Sequence, residues 1–384
     1  MIVVAVRESY PGEKCAALTP QRTAILVKAG LEVHIQAGCG IAAGFSDEQY
    51  QKQGATVVAD RMAVLSSADI LVQLHTLGTL AADAADIAAL KQNALVIGFA
   101  DPYLNQRGIE ALAARGVTLL AMELLPRISR AQSMDALSAM ASLAGYKAVL
   151  LAANYLPKIF PMMVTAAGTL TGAKVLVIGA GVAGLQAIAT ARRLGSQVSG
   201  YDVRPAVKEQ IQSLGAKFVE LPLEKKDAQT AGGYATEQSA EDQARQRELM
   251  ARVVGESDVV ISTAAVPGKK APILLTRQMV EAMAPGSIIV DLAASRGGNC
   301  ELTQPDEVVL HGGVTILGPT NLPATAAFHA SQVYANTVGN LLGHLIKKGE
   351  LLLNMEDQIL REMLVLKNGH LENPTVRKAW GIPN

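Results

Sequence analysis

Cysteine is scarce: Cys15, Cys39 and Cys300 are the only three in 384 residues, and none stands in a CxxC pair. That excludes a disulfide framework, offers no thiolate metal site, and fits a reducing cytosol. Charge of either sign is also sparse. Charged residues are 18% of the chain and Lys+Arg balances Asp+Glu at 34 each, so no net field draws the protein to nucleic acid or anionic lipid. The N-terminal MIVVAVRESYPGEK lacks the basic region and apolar core of a signal peptide. Two uncharged stretches, Val175 to Ala191 and Val308 to Ile346, mimic membrane spans. The first holds three glycines in turn spacing; the second holds Pro319, Asn321, Pro323, His329, Gln332, Asn336 and His344, which are costly in hydrocarbon. Both are therefore read as strands and helices of a folded domain.

Half the residues are hydrophobic and 34 are glycine, while aromatics reach only 4%, the usage of closely packed βα units. The length favours two domains, because a single core stops growing at roughly 250 to 300 residues. Short β-branched or aliphatic runs recur at Ile2 to Val6, Glu32 to Ala37, Ala55 to Val58, Ile70 to Leu74, Ala94 to Phe99 and Val117 to Ala121. Helical patterns lie between several of them, such as Gln21 to Lys28 before Gly30, so a parallel sheet with helical crossovers is expected. A long helix is expected over Ala131 to Tyr155. A second series of strands follows at Lys174 to Gly179, Gln197 to Asp202, Lys217 to Leu221, Asp258 to Thr263, Ser287 to Leu292 and Val314 to Leu317. The segment after Pro323 reads as another long helix ending near Gly349, then a final helical stretch and a polar tail. The fold class is thus α/β, with two Rossmann-like doubly wound parallel-sheet domains separated by a cleft and joined by long helices. The domains are expected over residues 1–135 with 325–384, and over residues 136–324. The polar window Lys225 to Arg252 is expected to be a surface loop.

The strongest local motif is AKVLVIGAGVAGLQAIATARRLGSQVSGYDVRP. Gly179, Gly181 and Gly184 form GxGxxG after an apolar strand and at the head of a helix, and Asp202 closes the next strand. Gly179 permits the tight turn, Gly181 lets backbone N–H groups approach a pyrophosphate, Gly184 allows close helix packing, and Asp202 can accept ribose hydroxyls. An acid there repels a 2′-phosphate, which favours NAD(H) over NADP(H), although Arg204 could serve such a phosphate. A second cluster is ELLPRISRAQSMDALS, which crowds Arg127, Arg130, Gln132, Asp135 and Ser138 between an apolar strand and an apolar helix. It reads either as a charged helix cap or as a cradle orienting a nicotinamide, and spacing alone leaves both open.

Several blocks, among them RISRAQSMDALSAMASLAGYKAV, FPMMVTAAGT, GAGVAGLQAIATARRLG, YDVRP, TAGGYA, VPGKKAP and DLAASRGGNC, are similar to the NAD(H)-binding component of proton-translocating NAD(P) transhydrogenases. The likeness runs from GEKCAALTP and AAGFSD to about residue 340. It implies a Re/Si-specific enzyme, complete only with partner chains, in which a hydride passes from NADH on this chain to NADP+ on another. It implies Arg127, Gln132, Asp135 and Ser138 around the nicotinamide, Val182, Asp202, Val203 and Arg204 on the adenosine side, and Gly233, Tyr234 and Gln246 in and beside a closing loop. The implied partners are the membrane-spanning and NADP(H)-binding components and a second copy of this chain. The implied place is the cytoplasmic side of the inner membrane, attached through those partners.

Alanine dehydrogenases are relatives of that family, and their substrate chemistry moves a proton as well as a hydride. Their pattern has an Arg, a Lys and a His where this chain has Cys15, Gln73 and Gly98 or Phe99. His75 lies nearby but reads as a structural histidine, and Lys269 and Lys270 as solvated loop residues. An amino-acid dehydrogenase and a non-catalytic NAD(H) sensor remain the alternatives.

Overall fold

The computed structural model describes residues 1–220, 240–265, 268–347 and 349–383, apart from the side chains of residues 81 and 240–247. The chain forms two compact units, residues 1–140 with 323–384 and residues 141–322. In the first, eight strands run in the spatial order His370–Leu371, Leu364–Lys367, Thr118–Ala121, Leu95–Phe99, Ile70–His75, Ile2–Ala5, Glu32–Gln36, Thr56–Val58. The six strands nearest the N-terminus in sequence are mutually parallel. They are runs of Val, Ile and Leu rather than alternating patterns because both faces are covered: Ile70, Leu71, Val72, Gln73 and Leu74 are all buried. Each fully buried aliphatic side chain in such a strand stabilises the fold by about 2 kcal/mol. The chain enters at the centre of this sheet and winds first to one edge, then to the other. Its switch point therefore lies between Ile2–Ala5 and Ile70–His75.

The second unit carries a seven-stranded sheet ordered Lys217–Phe218, Gln197–Tyr201, Lys174–Ile178, Val259–Ser262, Ile288–Asp291, Val314–Leu317, Val308–His311. All neighbours are parallel except the last pair. Alternate residues of one strand feed opposite cores: Val175 and Val177 pack with Ala187, Ile188 and Val259, while Leu176 and Ile178 pack with Met250, Val254 and Val260.

Four features differ from the sequence reading. Val308–His311 is an antiparallel edge strand, turned back by Gly312 and Gly313 at φ 58° and 84°. The C-terminal segment is not a helical stretch with a polar tail. It holds the short helices Gln358–Met363 and Pro374–Ala379 and the hairpin Leu364–Lys367 with His370–Leu371, closed by Asn368 and Gly369 at φ 48° and 83°. Two consecutive positive φ values make the tight turn that matches strand twist. Within the window expected as a loop, residues from 240 onward belong to the helix Ala240–Gly255, and residues 225–239 lie outside the described residues. The connecting helix is Ala136–Tyr155, because Ser129–Met134 forms a separate 3-10 turn before it. Among the described residues this helix is long and apolar enough to cross a membrane. Its second half is spent on packing, with Ala148, Val149, Ala152 and nearby Leu156 in the core of the second unit, and a Cβ on Gly145 would sit 2.1 Å from Ala183 O.

Candidate functional site

The glycine-rich turn stands at the switch point of the second sheet, between the carboxyl ends of Lys174–Ile178 and Val259–Ser262. Gly179 has φ 95°, and the Thr263 hydroxyl donates to its carbonyl at 3.0 Å. Gly181 opens the helix Val182–Arg193 with no side-chain cap, and a Cβ built on it meets nothing within 4 Å. The head of this helix is therefore uncapped by any side chain and has open space beside Gly181, where a helix N-terminus can receive an anion. A Cβ on Gly184, by contrast, would lie 1.8 Å from Gly179 O, so the helix is pressed onto the turn. Val182 is partly exposed at the head of the helix.

Asp202 directly follows the neighbouring strand Gln197–Tyr201 and is tied to that turn. Its Oδ2 accepts from Ala180 N at 2.7 Å and its Oδ1 from Arg204 N at 2.9 Å. The Arg204 side chain closes on both oxygens, Nε to Oδ1 at 2.9 Å and Nη2 to Oδ2 at 2.8 Å. Burial works to raise the Asp202 pKa. The Arg204 side-chain bonds, the Ala180 and Arg204 N–H groups and the Arg204 charge outweigh it, so the carboxyl sits below its ordinary value. The group is an ionised acceptor at neutral pH. Val203 stands between the pair and packs against the Leu176 and Ile178 core.

In the first unit the Arg127 to Ser138 segment resolves into an extended stretch, the 3-10 turn Ser129–Met134 and the start of the long helix. Asp135 is the helix cap: its carbonyl accepts from Ala139 N at 3.2 Å, its Oδ1 from Ser138 N at 2.9 Å and its Oδ2 from Ser138 Oγ at 2.5 Å. Ala131 and Met134 are buried and anchor the turn, which leaves Arg127, Arg130 and Gln132 exposed. Arg130 Nη2 donates to Asp357 Oδ1 at 2.6 Å. Gly233 and Tyr234 lie outside the described residues, as does the side chain of Gln246. Lys269 and Lys270 are exposed.

The residues that the sequence reading sets against alanine dehydrogenase substrate chemistry are packed away. Cys15 and Gln73 are buried, and Gln73 Oε1 accepts from Leu77 N at 3.1 Å while its carbonyl accepts from Tyr334 OH at 2.5 Å. A Cβ on Gly98 would lie 2.6 Å from Gln73 O, so that backbone admits no histidine there. Burial, then the Glu13 charge, pushes the Cys15 thiol far up; burial and the Glu8 charge take Cys39 to about 12, and burial raises Cys300. None is a ready thiolate. His75 stacks on Tyr10 at 4.1 Å between centroids, with Nε2 3.4 Å from Glu13 Oε2. Among the described residues no group of three or more His, Cys, Asp or Glu side chains is placed to hold a metal.

Glu8, which the sequence reading passed over, bridges the switch point of the first sheet by accepting from Leu74 N at 2.7 Å and His75 N at 3.2 Å. Burial raises it to about 8 against these bonds; Glu123, accepting from Ala100 N and Asp101 N, is raised by burial to about 7. Both folded values exceed the 4.5 of a free glutamate, so between about 4.5 and about 8 the folded state holds protons the unfolded chain has released. These two groups therefore make stability fall as pH rises through that window. In denaturant titrations, the stability of Glu8→Gln relative to wild type is expected to improve steadily across it; a difference that does not change with pH contradicts the raised value.

Three further supports were missed. Thr263 closes the glycine turn. Buried Asn299 ties down the stretch that follows the strand Val259–Ser262, with Oδ1 accepting from Ala264 N at 3.0 Å and Nδ2 donating to Ala264 O at 2.8 Å. Asp291 accepts from Asn299 N, Cys300 N and Thr303 Oγ1. The carboxyl-edge rule for open sheets would have marked Thr263 from its place at the end of a central strand.

A doubly wound sheet with GxGxxG at its switch point and an acid directly after the adjacent strand defines a dinucleotide-binding α/β protein. Residues 4–144 match the family described as alanine dehydrogenase/PNT, N-terminal domain, and residues 148–374 match alanine dehydrogenase/PNT, C-terminal domain. The chain belongs to this family. It is 43% identical to an NAD(P) transhydrogenase alpha-subunit polypeptide of Rickettsia prowazekii, over 99% of this chain and 98% of that one. Among solved structures it matches the transhydrogenase of Sinorhizobium meliloti at TM-score 0.85 and 39% identity, covering 98% of this chain and all of the other. An L-alanine dehydrogenase structure shares the fold at TM-score 0.81 with 25% identity, over 99% of both chains.

Proposed function

We propose that this chain is the NAD(H)-binding component of a proton-translocating transhydrogenase. NADH binds with its pyrophosphate at Gly179, Gly181 and Gly184 and its adenosine ribose at Asp202, flanked by Val182, Val203 and Arg204. Arg127, Gln132, Asp135 and Ser138 orient the nicotinamide, and Gly233, Tyr234 and Gln246 belong to a segment that closes on the nucleotide. The C4 hydride of NADH moves to C4 of an NADP+ held on a partner chain, leaving NAD+ and NADPH. No proton is exchanged in that step. Coupling to proton movement belongs to the membrane-spanning partners, to which a homodimer of this chain is attached on the cytoplasmic side.

The observation that supports the reading against an amino-acid dehydrogenase is the close approach of Gly98 to Gln73 O, together with the burial of Gln73 and Cys15. Oxidising an amino acid needs a base and a cation in reach of the substrate; transfer between two nicotinamides needs neither. The reading is tested by mixing the purified chain with the NADP(H)-binding component of a transhydrogenase and following hydride transfer from NADH to an NADP+ analogue, with pyruvate and ammonia supplied in a parallel reaction. Transfer in the first alone is expected. NADH oxidation in the second alone reinstates the dehydrogenase, and NADH binding with neither reaction leaves a sensor.

A further inference from the structure

Asn336, Asn340 and His344 stand four residues apart in the helix Ala327–Leu345 and so share one face. Every one of them is engaged within the first unit. Asn336 Oδ1 and Asn340 Oδ1 accept from Arg22 Nη2 at 2.9 Å and 3.4 Å. Asn340 Nδ2 donates to Ser133 O at 2.9 Å. His344 Nε2 meets Asp357 Oδ2, and Asp357 Oδ1 accepts from Arg130 Nη2 at 2.6 Å. Two of these bonds, one from Asn340 and one through Asp357, therefore end on the 3-10 turn Ser129–Met134, which carries Gln132 and lies between Arg127 and Asp135. Asp357 is itself held in place, because its Oδ1 also caps the helix Gln358–Met363 by accepting from Ile359 N at 3.1 Å.

We infer that Asp357, backed by His344, is a positioning residue for hydride transfer, which through Arg130 sets the geometry of the Arg127 to Asp135 segment. The inference rests on the nicotinamide site proposed above. The fold does not need this pair for its stability: buried Ala131 and Met134 already hold the turn down, and Arg130 is half exposed, where an ion pair contributes little. Geometry is where its loss tells, since a displacement of an ångström at the reacting groups can cost as much as a hundredfold in rate.

The test uses the full chain with the NADP(H)-binding component and compares wild type, Arg130→Ala, Asp357→Asn and the double variant. Asparagine at 357 keeps the helix cap and removes the charge. Each single variant is expected to bind 5′-AMP as wild type does, to bind NADH more weakly relative to 5′-AMP in a fluorescence titration, and to transfer hydride about tenfold more slowly at saturating NADH. The double variant is expected to be no slower than the slower single one, the mark of two residues acting through one contact. Wild-type transfer with unchanged rates and NADH affinities in both single variants overturns the inference, as do effects that simply multiply. No transfer by the wild type itself overturns the transhydrogenase reading first, and this inference with it. Should Asp357→Asn fold poorly, Arg130→Ala, which removes an exposed side chain, carries the same measurement.

Discussion

Gly184→Ala is expected to destabilise the second unit by roughly 3 kcal/mol or more, whereas Gly181→Ala is expected to fold and to lose NADH binding. The two glycines are three residues apart in one motif and do opposite work. At Gly184 the added carbon would lie 1.8 Å from Gly179 O, a backbone atom that cannot swing away, so the helix Val182–Arg193 must lift from the strand beneath it. At Gly181 the added carbon meets nothing within 4 Å, and its φ of −77° suits any residue, so the cost to folding is limited to a poorer cap, at most about 1 kcal/mol. In the proposed site that open space receives the pyrophosphate, and a methyl group fills it. Chemical denaturation and an NADH fluorescence titration on both variants separate the effects. Wild-type affinity in Gly181→Ala would remove the pyrophosphate from this turn.

The contrast between these glycines also shows what was readable in the chain. The parallel strands were legible because burial on both faces leaves unbroken aliphatic runs, such as VLVI before Gly179 and ILVQL in the first unit. The antiparallel additions were not, although VVLHGGVTIL and LVLKNGHL carry Gly-Gly and Asn-Gly at the turn. Their strands are two to four residues long, and apolar segments of that length fit a helix as well as a strand. Within the candidate site, Gly179, Gly181, Gly184 and Asp202 are proposed from spacing, because the strand, turn and helix that bring them together are written in local order. Arg127 and Gln132 are implied by family likeness alone, because a polar cluster at a helix start looks the same whether it caps or binds. Supports made by distant pairs, such as Arg130 with Asp357 or Glu8 with Leu74 and His75, have no signature in spacing at all.

Asp135 decides whether that cluster is only a cap. Asparagine caps a helix as well as aspartate does, and its side-chain oxygen can keep the bond from Ser138 N, so Asp135→Asn should leave unfolding of the first unit nearly unchanged. If the carboxylate also orients the nicotinamide, the same variant should slow hydride transfer to an NADP+ analogue on the order of 100-fold while NADH affinity changes far less. Asp135→Ala removes both functions and should add a stability loss of about 1 kcal/mol. Ser138→Ala deletes the 2.5 Å hydroxyl bond to Oδ2 and leaves the backbone cap in place, and because Ser138 belongs to the same proposed nicotinamide site it should slow transfer while stability is kept. A capping role alone predicts that transfer tracks stability across all three variants, with Asp135→Asn indistinguishable from wild type. A binding role predicts that transfer is lost where stability is kept.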